Sequence, residues 1–501
     1  MDLQQFFEHW NLKEHPFQAE EARSDAVYNR MLEAAIAHPD FSKIYGDPAN
    51  PGTTIVLGEK GSGKTAIRLM IQRKLKEYNK ARETGKVWVV CYDELNPVLD
   101  RLSRHLKTDD GERTMKSIRL ADHQDAILSL AVTDLVDQLF EPNNKARTKD
   151  LSRTLKKMPP QKRMDLAALA LLYDQPKHGH ASDRWKRLSG ILRIRSNWNR
   201  STHGFLFVLS AVIGLVGSAG WVILQTPGWE WYTAALLGGG GAAFFGLWWF
   251  LREWRNARRG RQLIREIRVV SRDNSVTGHE LWDLRQEDIS GQPMPVKGDQ
   301  DSRYDMTARF LGVIEALGYS SLIVLVDRID EPVLVHGDAK RMRLLVWPML
   351  NNKFLQQEGV GIKMLMPIEL SQMLAAEDVD FKRQARLDKQ NVVNPLKWTG
   401  NTLYDLCSWR FRNCQRPDAE NTVPLEGIFD DDVDSGYLID ALDQMHQPRD
   451  AFKFLYAVVL EHCRNTPGGS GDFQISRATL DYVRREQSQR VVDLYRGVSA
   501  N

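Results

Sequence analysis

The chain has 501 residues, 42% apolar and 27% charged, with a net charge of +3. That gives room for two or three domains with ample core, and the small charge excess does not indicate a nucleic-acid partner. Cys91, Cys407, Cys414 and Cys463 form no CxxC pair, the twelve histidines include no HExxH, and no Gly-x-Ser-x-Gly element lies in a strand-turn-helix setting. A disulfide framework, a zinc site and serine-hydrolase chemistry are therefore without support, and reduced thiols are expected.

Residues 1–50 read as helical, with turns at His15-Pro16-Phe17 and from Gly46 to Gly52, and Met1 to Trp10 carries Asp2 and Glu8 rather than the apolar core of a signal peptide. The β-branched run Thr53 to Leu57 predicts a strand. It leads into Gly58-Glu59-Lys60-Gly61-Ser62-Gly63-Lys64-Thr65, a full match to GxxxxGK[ST], and a helix is predicted from Lys64 to about Lys80. The glycines let backbone N–H groups turn inward around phosphate at the positive end of that helix. Lys64 is then expected on the β and γ phosphates and the Thr65 hydroxyl on Mg²⁺, making residues 58 to 65 a site for Mg-ATP. A second strand is predicted from Lys86 to Cys91. From Leu99 to about Ser182 the pattern is helical and polar, broken at Pro142, Pro159-Pro160 and Pro176, which reads as a helical insertion.

Two uncharged apolar stretches follow, Gly204 to Leu224 and Trp231 to Leu251. Each matches the ~20 residues needed to cross a ~30 Å hydrocarbon layer. Gly214 with Ser218, and Gly238 with Ala242, offer small residues at four-residue spacing for close helix approach. Trp221, Trp229, Trp231 and Tyr232 lie at one end and Trp248, Trp249 and Trp254 at the other, as interfacial aromatic belts do. Basic residues flank both outer ends, including Arg184, Arg193, Arg195 and Arg200 before the first stretch and Arg252, Arg255, Arg258 and Arg268 after the second, while Gln225 to Glu230 has no Lys or Arg. A two-pass hairpin with both flanks cytoplasmic is expected, and the arginines from 255 to 268 are expected either at lipid headgroups or on a solvated helix.

Beyond a basic helix ending near Val270 and a polar linker, a helix from Thr307 to Leu317 precedes the apolar strand Leu322 to Val326, which ends in Asp327. Asp327 is the expected second holder of Mg²⁺, beside the glycine loop. A helix from Arg341 to Gln357 and a strand from Ile362 to Met366 complete an α/β alternation that predicts a parallel sheet. Asp330 and Glu331 are the candidates to orient an attacking water, with Asp93 or Glu94 as alternatives. The rest, from about Ile368, reads as a mostly helical lid in which Gln447-Pro448-Arg449 opens a helix. Arg449 is otherwise unexplained there, since cations favour the opposite helix end. Arg383 and Arg386 are candidate arginine fingers toward a second subunit.

These residues resemble a family. A P-loop domain with transmembrane helices inserted between its two nucleotide motifs looks like the KAP family of P-loop NTPases, whose partner strand typically continues Asp-Asp-Leu-Asp-Arg; this chain reads Asp327-Arg328-Ile329-Asp330-Glu331. Asn11 to Phe17 is also similar to the segment preceding the P-loop in bacterial secretion-type AAA ATPases, and Pro448-Arg449 resembles the signature by which related ATPases bring a lid arginine to the γ phosphate. The resemblance implies an ATPase of the cytoplasmic membrane, homo-oligomeric, acting with protein partners in phage exclusion or signalling, or else a nucleotide-loaded scaffold with negligible turnover. The expected division is 1–98 and 303–370 for the NTPase core, 99–203 for the helical insertion, 204–251 for the hairpin, 252–302 for the basic helix and linker, and 371–501 for the lid.

Overall fold

The computed structural model describes residues 1–18, 22–31, 38–140, 145–176, 181–194, 205–216, 265–271, 301–416, 422–468 and 471–499, with scattered positions between 219 and 258. The chain forms two compact units, one made of residues 1–93 and 321–501, the other of residues 94–320.

In the first unit a parallel five-stranded sheet contains β1 (Thr54–Gly58), β2 (Lys86–Tyr92), β3 (Tyr319–Val326), β4 (Val360–Pro367) and β5 (Asn391–Val393), in the order β2-β3-β4-β1-β5. β1 and β4 are buried along their whole length and β3 over its last six residues, as the unbroken apolar runs require of strands covered on two faces. β4 lies between the other two, pairing Gly58 with Pro367 and Met364 with Val326. The loop-bearing strand and the strand ending at Asp327 are thus not neighbours. Alternate residues Val56, Ile323, Leu325 and Leu365 form one core with Ile67, Met70, Ile71 and Leu75. Those four lie on one face of the helix Lys64–Lys80, which the 3.6-residue period sets against the sheet.

Three features differ from the sequence expectation. The predicted helix from Arg341 to Gln357 stops at Val346, continues as a 3₁₀ turn Trp347–Met349 and resumes only at Asn352–Leu355, because Pro348 cannot donate to the helical ladder. β5 extends the sheet into the region expected to be lid. The first eighteen residues, expected with the NTPase core, pack Phe6, Trp10, Leu12 and Phe17 among Leu403, Phe411, Phe454 and Val458 of the C-terminal helices, where Leu12 also bridges Gln415 in antiparallel fashion.

Among the described residues the second unit contains the helices Asn96–Leu106, Gly111–Lys116, Leu120–Phe140, Lys145–Lys157, Pro160–Tyr173 and Ala181–Ile191. The helix Ser302–Glu315, expected with the second part of the NTPase core, packs here against Pro160–Tyr173 and Leu120–Phe140. Buried ion pairs join its parts. Arg303 meets Asp125 at 3.2 Å, and the Tyr173 hydroxyl donates to the same carboxylate at 2.9 Å. Burial pushes the Asp125 carboxyl up to about 6 against the opposing Arg303 charge. Arg268 pairs with Asp122, and Arg184 with Asp174 at 2.7 Å. Arg184 and Arg268, membrane-flanking cations by charge pattern alone, are therefore engaged by protein carboxylates; charge counting along a sequence cannot see such partners.

Residues 205–216 are helical, and Phe205, Val208, Leu215 and Val216 are each more than half exposed, as are Phe244, Leu247 and Phe250. A side chain added at Gly246 would meet Phe207 at 3.0 Å and one at Gly241 would meet Ser210 at 3.2 Å. The two segments therefore run antiparallel, with glycine backbone against side chain. Among the described residues no helix is long and apolar enough to cross a membrane; the stretches from Gly204 to Leu224 and Trp231 to Leu251 lie partly outside them, as do the turn Gln225 to Glu230 and the linker 272–300.

Candidate active site

β1 delivers the chain to a loop in which Gly61 and Gly63 adopt φ of 101° and 87°, a region that costs an ordinary side chain dearly. Gly63 is the N-cap of the helix Lys64–Lys80 and brings no side chain to its first amides, so those N–H groups face outward for a ligand. The Lys64 ammonium donates to the carbonyls of Gly58 at 2.7 Å and Glu59 at 2.8 Å. Burial lowers its pKa, and the carboxylates of Asp330, Asp327 and Glu369 oppose that shift.

From the same helix the Thr65 hydroxyl donates to Asp327 Oδ2 at 3.1 Å, spanning β4. Asp327 is buried, which raises its pKa, while Arg68 and the Thr65 hydrogen bond act the other way. Arg68, one turn after Thr65, donates through Nε to Asp327 at 3.1 Å and contacts Asp93 at 3.0 Å. Arg23 pairs with the same Asp93 Oδ2. Asp93 is thus held by two arginines and Glu94 is exposed. The adjacent Thr65 hydroxyl and Asp327 carboxylate are two hard oxygen donors, the few protein ligands Mg²⁺ takes when waters and phosphate supply the rest. Among the described residues no group of three or more His, Cys, Asp or Glu side chains could hold a metal by themselves.

A cavity of about 540 Å³ opens over the loop and is lined by Lys60, Gly61, Gly63, Lys64 and Thr65 together with Asp327, Asp330, Glu331 and Arg449. The expected site residues that line it come from three separate stretches of sequence. Glu331 is engaged by Arg328, whose backbone takes a φ of 60°. Arg449 opens the helix Pro448–Asn465; its backbone N–H points at the Gly61 carbonyl at 3.5 Å, and among the described residues its Nε is buried without a hydrogen-bond partner. Arg383 and Arg386 are not among the lining residues; they pair with Asp380 at 3.6 Å and Asp388 at 3.2 Å.

Four participants do not stand out in the sequence pattern. Arg68 carries a signal, a cation three residues beyond Thr65 and hence on its helix face. Trp398 donates its indole N–H to the Ser62 carbonyl at 2.9 Å, Gln447 donates to the Glu59 carboxylate, and Glu369 opens the helix after β4. Trp398 and Glu369 have no local motif, and Gln447 stands beside the Pro448-Arg449 helix start. Tyr28, Trp398, Trp409 and Phe452 add aromatic faces to the cavity. The whole offers an anion a helix N-terminus, an ammonium and a guanidinium beside surfaces able to stack on a planar ring. Comparison of the chain with family models, with curated proteins and with solved structures finds no match.

Proposed function

We propose that this chain is a membrane-anchored P-loop ATPase that binds Mg-ATP and hydrolyses it to drive assembly or signalling at a cytoplasmic membrane face. The observation that carries the reading is the Thr65–Asp327 hydrogen bond under a full glycine loop, at the floor of a nucleotide-sized cavity. In this reading the loop amides cradle the phosphates and Lys64 leaves the Gly58 and Glu59 carbonyls for the β and γ oxygens. Thr65 and Asp327 would hold Mg²⁺, which supplies charge neutralisation between the phosphates. Arg449 reaches the γ phosphate from the lid, and Asp330 and Glu331 are the carboxylates that sequence reasoning offers for the attacking water.

What supports the membrane anchor is the apolar surface of residues 205–216 and of Phe244, Leu247 and Phe250, far more contiguous than a water-facing helix carries. Similarity to KAP proteins extends the proposal to a homo-oligomer with protein partners, in roles such as phage exclusion. A second reading, a nucleotide-loaded scaffold without turnover, is favoured by the engagement of Glu331 with Arg328.

The test is calorimetric ATP binding and phosphate release by the detergent-purified full chain and its Lys64→Ala variant. Loss of a charge-assisted contact of about 1.5–3 kcal/mol predicts roughly 10- to 150-fold weaker binding with the fold retained. Equal affinity in the two proteins refutes the nucleotide site, and binding without turnover selects the scaffold.

A further inference from the structure

We infer that Glu369, rather than Asp330 or Glu331, is the carboxylate that accepts the proton of the attacking water, an inference that rests on the ATPase reading above. β4 is the strand between the loop-bearing β1 and the Asp327-bearing β3, so the chain leaving its carboxyl end emerges midway between phosphate loop and metal-holding carboxylate. The Ile368 N–H donates to the Gly58 carbonyl at 3.1 Å, and that carbonyl also receives the Lys64 ammonium at 2.7 Å. Glu369 is the next residue. It lines the same cavity, and its charge acts on Lys64.

Glu369 Oε2 is buried, and among the described residues it has no hydrogen-bond partner. A carboxylate oxygen left in that condition needs an explanation, and a ligand or water arriving in the cavity supplies one. The Lys64 ammonium does not, because its hydrogen bonds go to carbonyls. Glu331 is diverted to Arg328, while Asp330, which also lines the cavity and acts on Lys64, follows β3, one strand farther from the loop-bearing β1 than β4 is. In the reaction the water oxygen bonds to the γ phosphorus as the bond to the β,γ-bridging oxygen breaks. The electron pair of that bond stays on ADP, and the water proton passes to Glu369.

The experiment uses the detergent-purified full chain, its Glu369→Gln and Glu369→Asp variants and Asp330→Asn, with Mg²⁺ and ATP as probes. Expected for Glu369→Gln is ATP affinity equal to or a few-fold above the native value, since one anion facing the phosphates is gone, with turnover lower by roughly 10²–10⁴-fold. Protein recovered after incubation should then carry uncleaved ATP. Glu369→Asp, which keeps the charge, should bind normally and regain part of the turnover; it decides the matter if the Gln variant does not fold. Loss of turnover in Asp330→Asn together with native-like turnover in Glu369→Gln would return the role to Asp330. Native-like turnover in Glu369→Gln overturns the assignment, as does joint loss of affinity and thermal stability in both variants, which marks a structural role. A native chain that binds ATP without hydrolysing it also overturns the assignment and leaves the nucleotide site standing, whereas a folded native chain that binds no ATP removes the ATPase reading itself.

Discussion

The Thr65 hydroxyl and the Asp327 carboxylate hydrogen-bond at 3.1 Å although 262 positions separate them. The whole second unit, residues 94–320, lies between them in the chain. β1 and β3 nevertheless end on the same side of one parallel sheet, and the helix after β1 carries Thr65 to a carboxylate two strands away.

Asp327→Asn removes the negative charge from this pair and keeps its shape. Mg²⁺-dependent ATP binding is expected to weaken by roughly 10- to 150-fold, the equivalent of about 1.5–3 kcal/mol for a charged contact. Binding measured in EDTA should change far less. Titration calorimetry in the two buffers checks this, and equal losses in both would remove Asp327 from the metal.

Arg68→Ala should destabilise the first unit. Its side chain is 3% exposed and bridges Asp327 and Asp93; truncation leaves Asp93 with Arg23 but takes the arginine partner from the deeply buried Asp327 carboxylate, at a cost of about 3–5 kcal/mol. Denaturant unfolding followed by circular dichroism measures the loss. A change within the scatter of an ordinary surface substitution would mean that the bridge contributes little.

His15 makes the first unit acid-sensitive. Its ring is buried, with Nδ1 accepting the Phe17 N–H at 3.2 Å, and burial together with the Arg410 charge lowers its pKa from 6.5 to about 4. A histidine whose folded pKa is depressed contributes stability that is complete above pH 6.5 and is lost as the pH falls from there through 4. That contribution is about 3 kcal/mol at most. His15→Gln should flatten the pH dependence of unfolding in this window relative to the native chain, and parallel profiles would rule the assignment out.

The proposed two-pass topology predicts opposite labelling on the two sides of the apolar stretches. In a chain lacking its native cysteines, Thr226→Cys should react with a membrane-impermeant thiol reagent on intact cells. Ser196→Cys and Asn256→Cys should react only after lysis. Labelling of Ser196→Cys but not Asn256→Cys in intact cells would mean a single span and would split Thr65 from Asp327 across the bilayer.

Much of this site is legible in the amino-acid sequence because its signals are local. The glycine loop is eight contiguous residues whose glycines, lysine and threonine are read in place, and the helix Lys64–Lys80 ends where its pattern ends. β3 announces itself as an unbroken apolar run closing on one carboxylate. Arg449 is reachable because a proline and an arginine at a helix start are adjacent in the chain. A helix break is legible where two prolines stand together, at Pro159-Pro160, and is hidden where Pro348 stands alone inside an apolar pattern.

What the amino-acid sequence by itself determined, then, is the set of elements whose causes lie within a few residues: the loop's conformational freedom, the apolar strands, the helical insertion and the uncharged stretches around 204–251. Only the tertiary structure decided which strand lies between β1 and β3, and therefore that Glu369 emerges beside the loop. It alone brought Trp398 and Gln447 onto the loop carbonyl and carboxylate, enclosed Arg268 and Arg303 with Asp122 and Asp125, and drew the first eighteen residues into the C-terminal core. The physical reason is common to all of these. Strand order, ion-pair partners and core membership depend on contacts between segments far apart in the chain, and the energies that select them are sums over the assembled interior, with no trace in any one stretch of sequence.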